Sequence, residues 1–225
     1  VPAGTALVLE LTLFGRSNHH LPHLIHALDQ AGQRGLHGSR LQLKSVSQQI
    51  SEEWRTIHTC GTPLAPQPPM SPAPPPCPKQ LTLVLETPLR GKAKEHLMTP
   101  ETFSFGAFFA LILRRISLLT AFHTDTLLET HFAELTRAAY AVDAVKQTHL
   151  HWHDWTRYST RQRTPMQMGG LLGEITFSGD QLSPFWPYLW LGQWTHAGKA
   201  TSMGLGRYRI EWSLKRQHPQ QKNQA

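Results

Sequence analysis

The segment Gly198–Arg207 (GKATSMGLGR) sets one lysine among three glycines. Gly204 and Gly206 permit positive φ and close backbone approach, so successive N–H groups can converge on an anion while Lys199 adds a point charge. It is not a Walker loop. Lys199 follows the first glycine instead of the last, Ala200 replaces the required hydroxyl residue, and a strand is expected next where a Walker loop opens a helix. The segment therefore reads as an anion cradle without nucleotide hydrolysis, or as a tight turn into a strand that binds nothing.

Fourteen histidines supply groups that exchange protons near neutral pH. His19, His23 and His26 are spaced to share one helical face, the arrangement a His-ligated metal-dependent hydrolase would need. A solvated helix start is the competing reading. His149, His151 and His153 alternate and on a strand would point to one side. His37 and His196 stand alone, His196 next to the glycine-rich segment.

The charge tally, 22 Lys+Arg against 15 Asp+Glu for a net +7, points to a polyanionic partner, with nucleic acid the leading candidate. Most of the excess lies beyond residue 149, where Trp152, Trp155 and Tyr158 are interleaved with Arg157, Arg161 and Arg163. Such interleaving can pair phosphate contacts with base stacking, or can leave the aromatics in the core. Arg157, Ser159, Arg161 and Gln162, on a loop after a strand, are the better candidates for nucleic-acid contact.

These groups need elements to hold them. Pro63–Pro78 contains nine of the 17 prolines and reads as a linker, placed at 59–80. Before it, in a first domain at 1–58, the patterns predict a strand at Ala6–Phe14, a helix at Pro22–Ala31 and a strand at Arg40–Val46. After it, in a second domain at 81–216, they predict a strand at Leu81–Glu86 and a buried helix carrying Phe105, Phe108, Phe109, Ile112, Leu113, Ile116 and Leu119. A second helix capped by Thr124 or Asp125, strands at His149–Tyr158 and Leu171–Phe177, a helix at Pro184–Trp194 and a strand at Arg207–Ser213 complete it. This order is the split βαβ of a ferredoxin-like α+β fold.

Residues 217–225 read as a disordered tail. Cys60 and Cys77 are too few for a disulfide framework or a zinc ribbon, which suits a cytoplasmic setting. The apolar run Phe103–Leu113 is about half of the roughly 20 residues a membrane helix needs, so no span is expected. The chain opens on Val1 without a signal-peptide pattern, as a fragment or a processed chain would.

The run LSPFWPYLWLGQWTHAGKATSMGLGRYRIEW (Leu182–Trp212) closely resembles the C-terminal end of the RAMP-superfamily endoribonucleases that process CRISPR precursor RNA, the Cas six family. The resemblance extends through TPLRGK (Thr87–Lys92), LILRRISLL (Leu111–Leu119), WHDWTRYSTRQ (Trp152–Gln162) and MGGLLGEI (Met168–Ile175), and through LTLFGRS, PHLIHAL and GLHGSR before the linker. It implies tandem ferredoxin-like domains with antiparallel sheets, the first incomplete because its opening strand, helix and second strand would precede Val1. Members of the family often carry the catalytic histidine in that opening part.

The resemblance further implies CRISPR repeat RNA or crRNA as ligand, and metal-independent cleavage leaving 2′,3′-cyclic phosphate and 5′-hydroxyl ends. It implies no cofactor, no metal and no membrane; other CRISPR-associated proteins or a fused CRISPR enzyme are its further partners. Catalytic candidates are His37, His196 and Lys199. RNA-contact candidates are Arg157, Ser159, Arg161, Gln162, Gly198, Lys199, Ser202, Gly204, Gly206 and Arg207. Two departures alter loop detail: the family's loop usually has a further glycine where Ala200 stands, and its earlier Gly-Leu-Gly turn here ends in His37. A non-catalytic crRNA-binding RAMP subunit is the alternative within the same resemblance.

Overall fold

The computed structural model of the protein describes residues 4–35, 38–51, 53–93, 95–159 and 163–212. The chain divides into Val1–Pro72 with Phe122–Asp125, and Ala73–Ala121 with Thr126–Ala225. The second unit is built on a four-stranded antiparallel sheet of β3 (Gln80–Leu89), β6 (Val145–His153), β9 (Gly170–Ser178) and β10 (Tyr208–Glu211), ordered β10-β3-β9-β6. With α2 (Phe105–His123) after β3 and α4 (Trp186–Thr195) after β9, the order of elements is that of a ferredoxin-like module.

Alternation along β3 sends Leu81, Leu83 and Leu85 into the core and Thr82 and Glu86 to the other face. Ser104 caps α2, its Oγ accepting the Ala107 N–H at 3.2 Å. Helical spacing then stacks Phe105, Phe108, Phe109, Ile112 and Ile116 against the sheet. Phe108 meets Tyr208 edge to face at 5.3 Å, and Phe109 meets Phe185 at 4.8 Å. Burial of each such ring is worth about 1.5–3 kcal/mol. The Tyr208 hydroxyl donates to the Leu189 carbonyl at 2.7 Å, tying β10 to α4.

Several elements differ from expectation. α2 runs on past Leu119 to His123, long and apolar enough to cross a membrane by length and composition, but half of its most apolar stretch is buried in the core. The half-buried Arg115 donates to the Thr195 carbonyl at 3.3 Å. The next helix, α3 (Phe132–Tyr140), starts at His131 and not at Thr124 or Asp125. The expected strand His149–Tyr158 is interrupted at Asp154, which accepts the Trp152 indole N–H at 2.7 Å. Beyond it β7 (Thr156–Ser159) pairs with β8 (Thr164–Gln167) as a two-stranded ribbon outside the main sheet. A small ribbon of β4 (Lys92–Ala93) and β5 (His96–Leu97) precedes α2.

The first unit contains a 3₁₀ turn (Gly15–His20), α1 (Leu21–Arg34) and a hairpin of β1 (Ser45–Ile50) with β2 (Glu53–Thr59). Ala6–Phe14 joins no ladder and is not a strand; Leu7, Val8, Leu9 and Leu11 are exposed. Apolar content favours a strand, but its N–H and C=O groups define one only against a neighbour. Strand β1 begins at Ser45, not Arg40, and β2 occupies residues that carried no expected element.

The proline-rich stretch is held at both ends. Ala65 donates to Ile57 at 2.9 Å and Gln48 exchanges two 3.0 Å bonds with the Gln67 backbone. Near its other end the Trp186 indole donates to the Pro75 carbonyl at 2.6 Å. Both cysteines are free thiols, and burial followed by the nearby Asp180 charge pushes the Cys77 thiol up.

Candidate functional site

The glycine-rich loop leaves α4 at His196 and enters β10 at Tyr208. Positive φ recurs at His196 (62°), Gly198 (87°), Ala200 (58°), Gly204 (84°) and Gly206 (70°). The position where the family's loop has glycine is thus one where glycine fits best: Ala200 adopts φ 58°, ψ 31°, a left-handed conformation that costs an alanine about 1 kcal/mol. His196, at φ 62° and ψ 173°, lies in a region that is almost glycine-only. At Gly206 there is no room for a side chain, since a Cβ would collide with the Ala197 carbonyl.

The loop is bolted to β3. The register of β3 against β9 slips between Leu85 and Leu89, and in this irregular stretch β3 turns its hydrogen bonds to the loop. Glu86 and Thr87 both donate to the Arg207 carbonyl, at 3.0 and 3.3 Å. Gly206 donates to the Pro88 carbonyl at 3.1 Å and Lys199 to the Arg90 carbonyl at 2.8 Å. The Thr87 hydroxyl donates to the Gly204 carbonyl at 2.8 Å and accepts the Arg207 N–H at 2.8 Å. Pro88, with no N–H to offer a ladder, suits this break.

This differs from the anion cradle expected of the glycines. The N–H groups of Lys199, Met203, Gly204, Leu205, Gly206 and Arg207 all donate within the protein, so the glycines shape the loop from inside. What faces solvent is Lys199 and the crest Ser202–Gly204. Arg157, exposed on β7, reaches that crest, its Nη1 lying 3.0 Å from the Met203 sulfur. Tyr158, 61% exposed, extends the same ribbon with an uncovered ring. Ribbon and loop thus meet where Arg157 reaches Met203, on a loop that also exposes Lys199.

Arg207 is less free than a phosphate ligand would be. Its Nε contacts Glu86 at 2.8 Å, and Glu86 also accepts Arg209 at 2.9 Å. Burial alone would lower the Arg209 pKa, but its bonds to Glu86 and Glu211 raise it, so that cation is held in an ion-pair chain. Sequence reasoning missed Glu86 and Thr87, although TPLRGK marked the segment. Met203 was also missed.

His37, Arg161 and Gln162 lie outside the described residues. Ser159 is half-buried at the end of β7, and Gly198 is packed under the Arg90 carbonyl. His149, His151 and His153 are exposed on β6, opposite Glu174, Leu172 and Gly170. His19 sits on the 3₁₀ turn, and His23 and His26 are exposed on α1. Among the described residues no group of three or more His, Cys, Asp or Glu converges as a metal site.

The family model of the CRISPR-associated endoribonuclease Cas6 matches residues 83–208, more than half of the chain. The chain belongs to this family. A model described as an N-terminal domain matches residues 1–70. Among solved structures, a partial Cas6-RT-Cas1–Cas2 complex is 18% identical with a TM-score of 0.45, covering 64% of this chain and 24% of that one. A Cas6 product complex is 17% identical with a TM-score of 0.41, covering 61% and 53%. Thermus thermophilus Cas6 is 16% identical with a TM-score of 0.45, covering 60% and 55%. The chain spans from about a quarter to about half of the length of these solved chains. No curated protein matches it. The Cas6 match runs from β3 to the first residue of β10 and so contains both the loop and the segment that fastens it.

Proposed function

We propose that this chain binds CRISPR repeat RNA and takes part in cutting the precursor transcript without a metal, leaving 2′,3′-cyclic phosphate and 5′-hydroxyl ends. The observation that carries this reading is the contact of Arg157, on the β7–β8 ribbon, with Met203 in the exposed Ser202–Gly204 crest of a loop that also exposes Lys199 and whose backbone is fastened to the sheet. Arg157 and Lys199 supply phosphate contacts, and Tyr158 offers a ring for a base. Further CRISPR-associated proteins are partners in the same reading.

The chemistry asks little beyond this. The ribose 2′-oxygen gives up its proton to a base and bonds to the adjacent phosphorus; the bond from phosphorus to the 5′-oxygen breaks, and that oxygen takes a proton. Lys199 would offset charge growing on the non-bridging oxygens, a type of contribution worth about 100-fold or more in rate. His196, held beside the loop, and His37 are the candidates for proton transfer.

The test is incubation with repeat RNA in EDTA. The expected products end in cyclic phosphate and 5′-hydroxyl; tight binding with the RNA left intact would select a non-catalytic crRNA-binding subunit, and no binding would refute the reading.

A further inference from the structure

We propose that Thr87 is a positioning residue that sets the glycine-rich loop in the shape that grips RNA, an inference that rests on the RNA reading above. Between β3 and the loop, the bonds of Glu86, Gly206 and Lys199 run from backbone to backbone and would survive most substitutions. The Thr87 hydroxyl is different. It donates to the Gly204 carbonyl and accepts from the Arg207 amide, both at 2.8 Å, so one oxygen closes the two sides of the turn Gly204-Leu205-Gly206. A hydroxyl is the smallest group that donates and accepts at once. The β-branched threonine also keeps that oxygen in few rotamers.

The consequence falls on the exposed crest. Gly204 and Gly206 have the freest backbones in the loop, and nothing in their own side chains fixes their positive φ. With the hydroxyl in place, Gly204 is anchored one residue from Met203, against which Arg157 rests. Without it, the crest could swing while the bonds at Lys199 and Gly206 stayed made. Thr87 touches no RNA in this account; it acts through Gly204 and Arg207.

Thr87→Val keeps shape and removes the bonds, while Thr87→Ser keeps the bonds. Thr87→Val is expected to weaken repeat-RNA binding about tenfold, the equivalent of about 1.4 kcal/mol, and to make the plot of affinity against salt shallower by about one phosphate contact. Thr87→Ser is expected to restore both. A fall in Tm with unchanged affinity and slope would reduce Thr87 to a merely structural role and overturn the inference. If the unsubstituted protein fails to bind repeat RNA, the reading beneath falls and the inference with it; if it binds and Thr87→Val binds as well, only the inference falls.

Discussion

The two units differ sharply in what they bury. Among the described residues, every buried apolar side chain except Ile57 lies between Leu81 and Ile210, in the second unit. The first has an amphipathic α1 whose Leu24, Ile25 and Leu28 are only half covered, and a segment outside any ladder in which Val8 is 94% exposed. Strained backbone persists only where the surroundings over-determine it. The second unit can therefore hold His196 and Ala200 at positive φ, because α4, β3 and β10 fix the ends of the loop independently.

The sharpest way to break this comparison is to damage both units equally. Phe108 is fully buried against Tyr208, and Phe108→Ala is expected to cost about 3–5 kcal/mol in denaturant melts. Val8→Ala is expected to change stability by less than about 0.5 kcal/mol. Equal losses would mean that the exposed segment carries energy this account denies it.

A smaller effect isolates the junction of β10 with α4. Burial holds the Tyr208 phenol well above its ordinary pKa. Below about pH 10 the group is neutral in both folded and unfolded chains, and its contribution is complete. As pH rises past 10 the unfolded chain ionises while the folded one does not, so stability falls. Tyr208→Phe is expected to lose about 1 kcal/mol at neutral pH, with the bond to Leu189, and to fall less steeply in melts between pH 9 and 11. Identical slopes would show that Tyr208 does not set the alkaline limit. The smallest change is a gain: Ala200→Gly relieves a left-handed alanine and is expected to stabilise by about 0.5–1 kcal/mol. A loss on that substitution would mean that Ala200 is not strained.

How legible each part was follows from the same physics. The second unit could be read because its apolar residues repeat at strand and helix periods over long stretches, LTLVLE in β3 and the Phe105–Leu119 stripe in α2. The ends of elements were harder: the helix expected from Thr124 or Asp125 starts only at His131, and the strand after His149 broke where Asp154 took the Trp152 indole. Ala6–Phe14 carried the same apolar signal as β3 but has no ladder partner, and pattern alone does not supply one.

The candidate site divides in the same way. Lys199, Gly204 and Arg157 could be named from residue type, and Arg157 with Met203 shows ribbon and loop meeting. The direction of the loop amides could not, since it depends on bonds between residues more than a hundred positions apart, as between Thr87 and Arg207. That dependence turned an expected cradle of N–H groups into a fastened loop that exposes Lys199 and the Ser202–Gly204 crest.

The most direct test of the central claim is photo-crosslinking of repeat RNA to the protein, with the linked peptides mapped by mass spectrometry. Crosslinks concentrated at Lys199–Gly204 and at Arg157–Tyr158, and lost at high salt, are the predicted result. Crosslinks confined to other surfaces, with the loop and the β7–β8 ribbon unmodified, would contradict it.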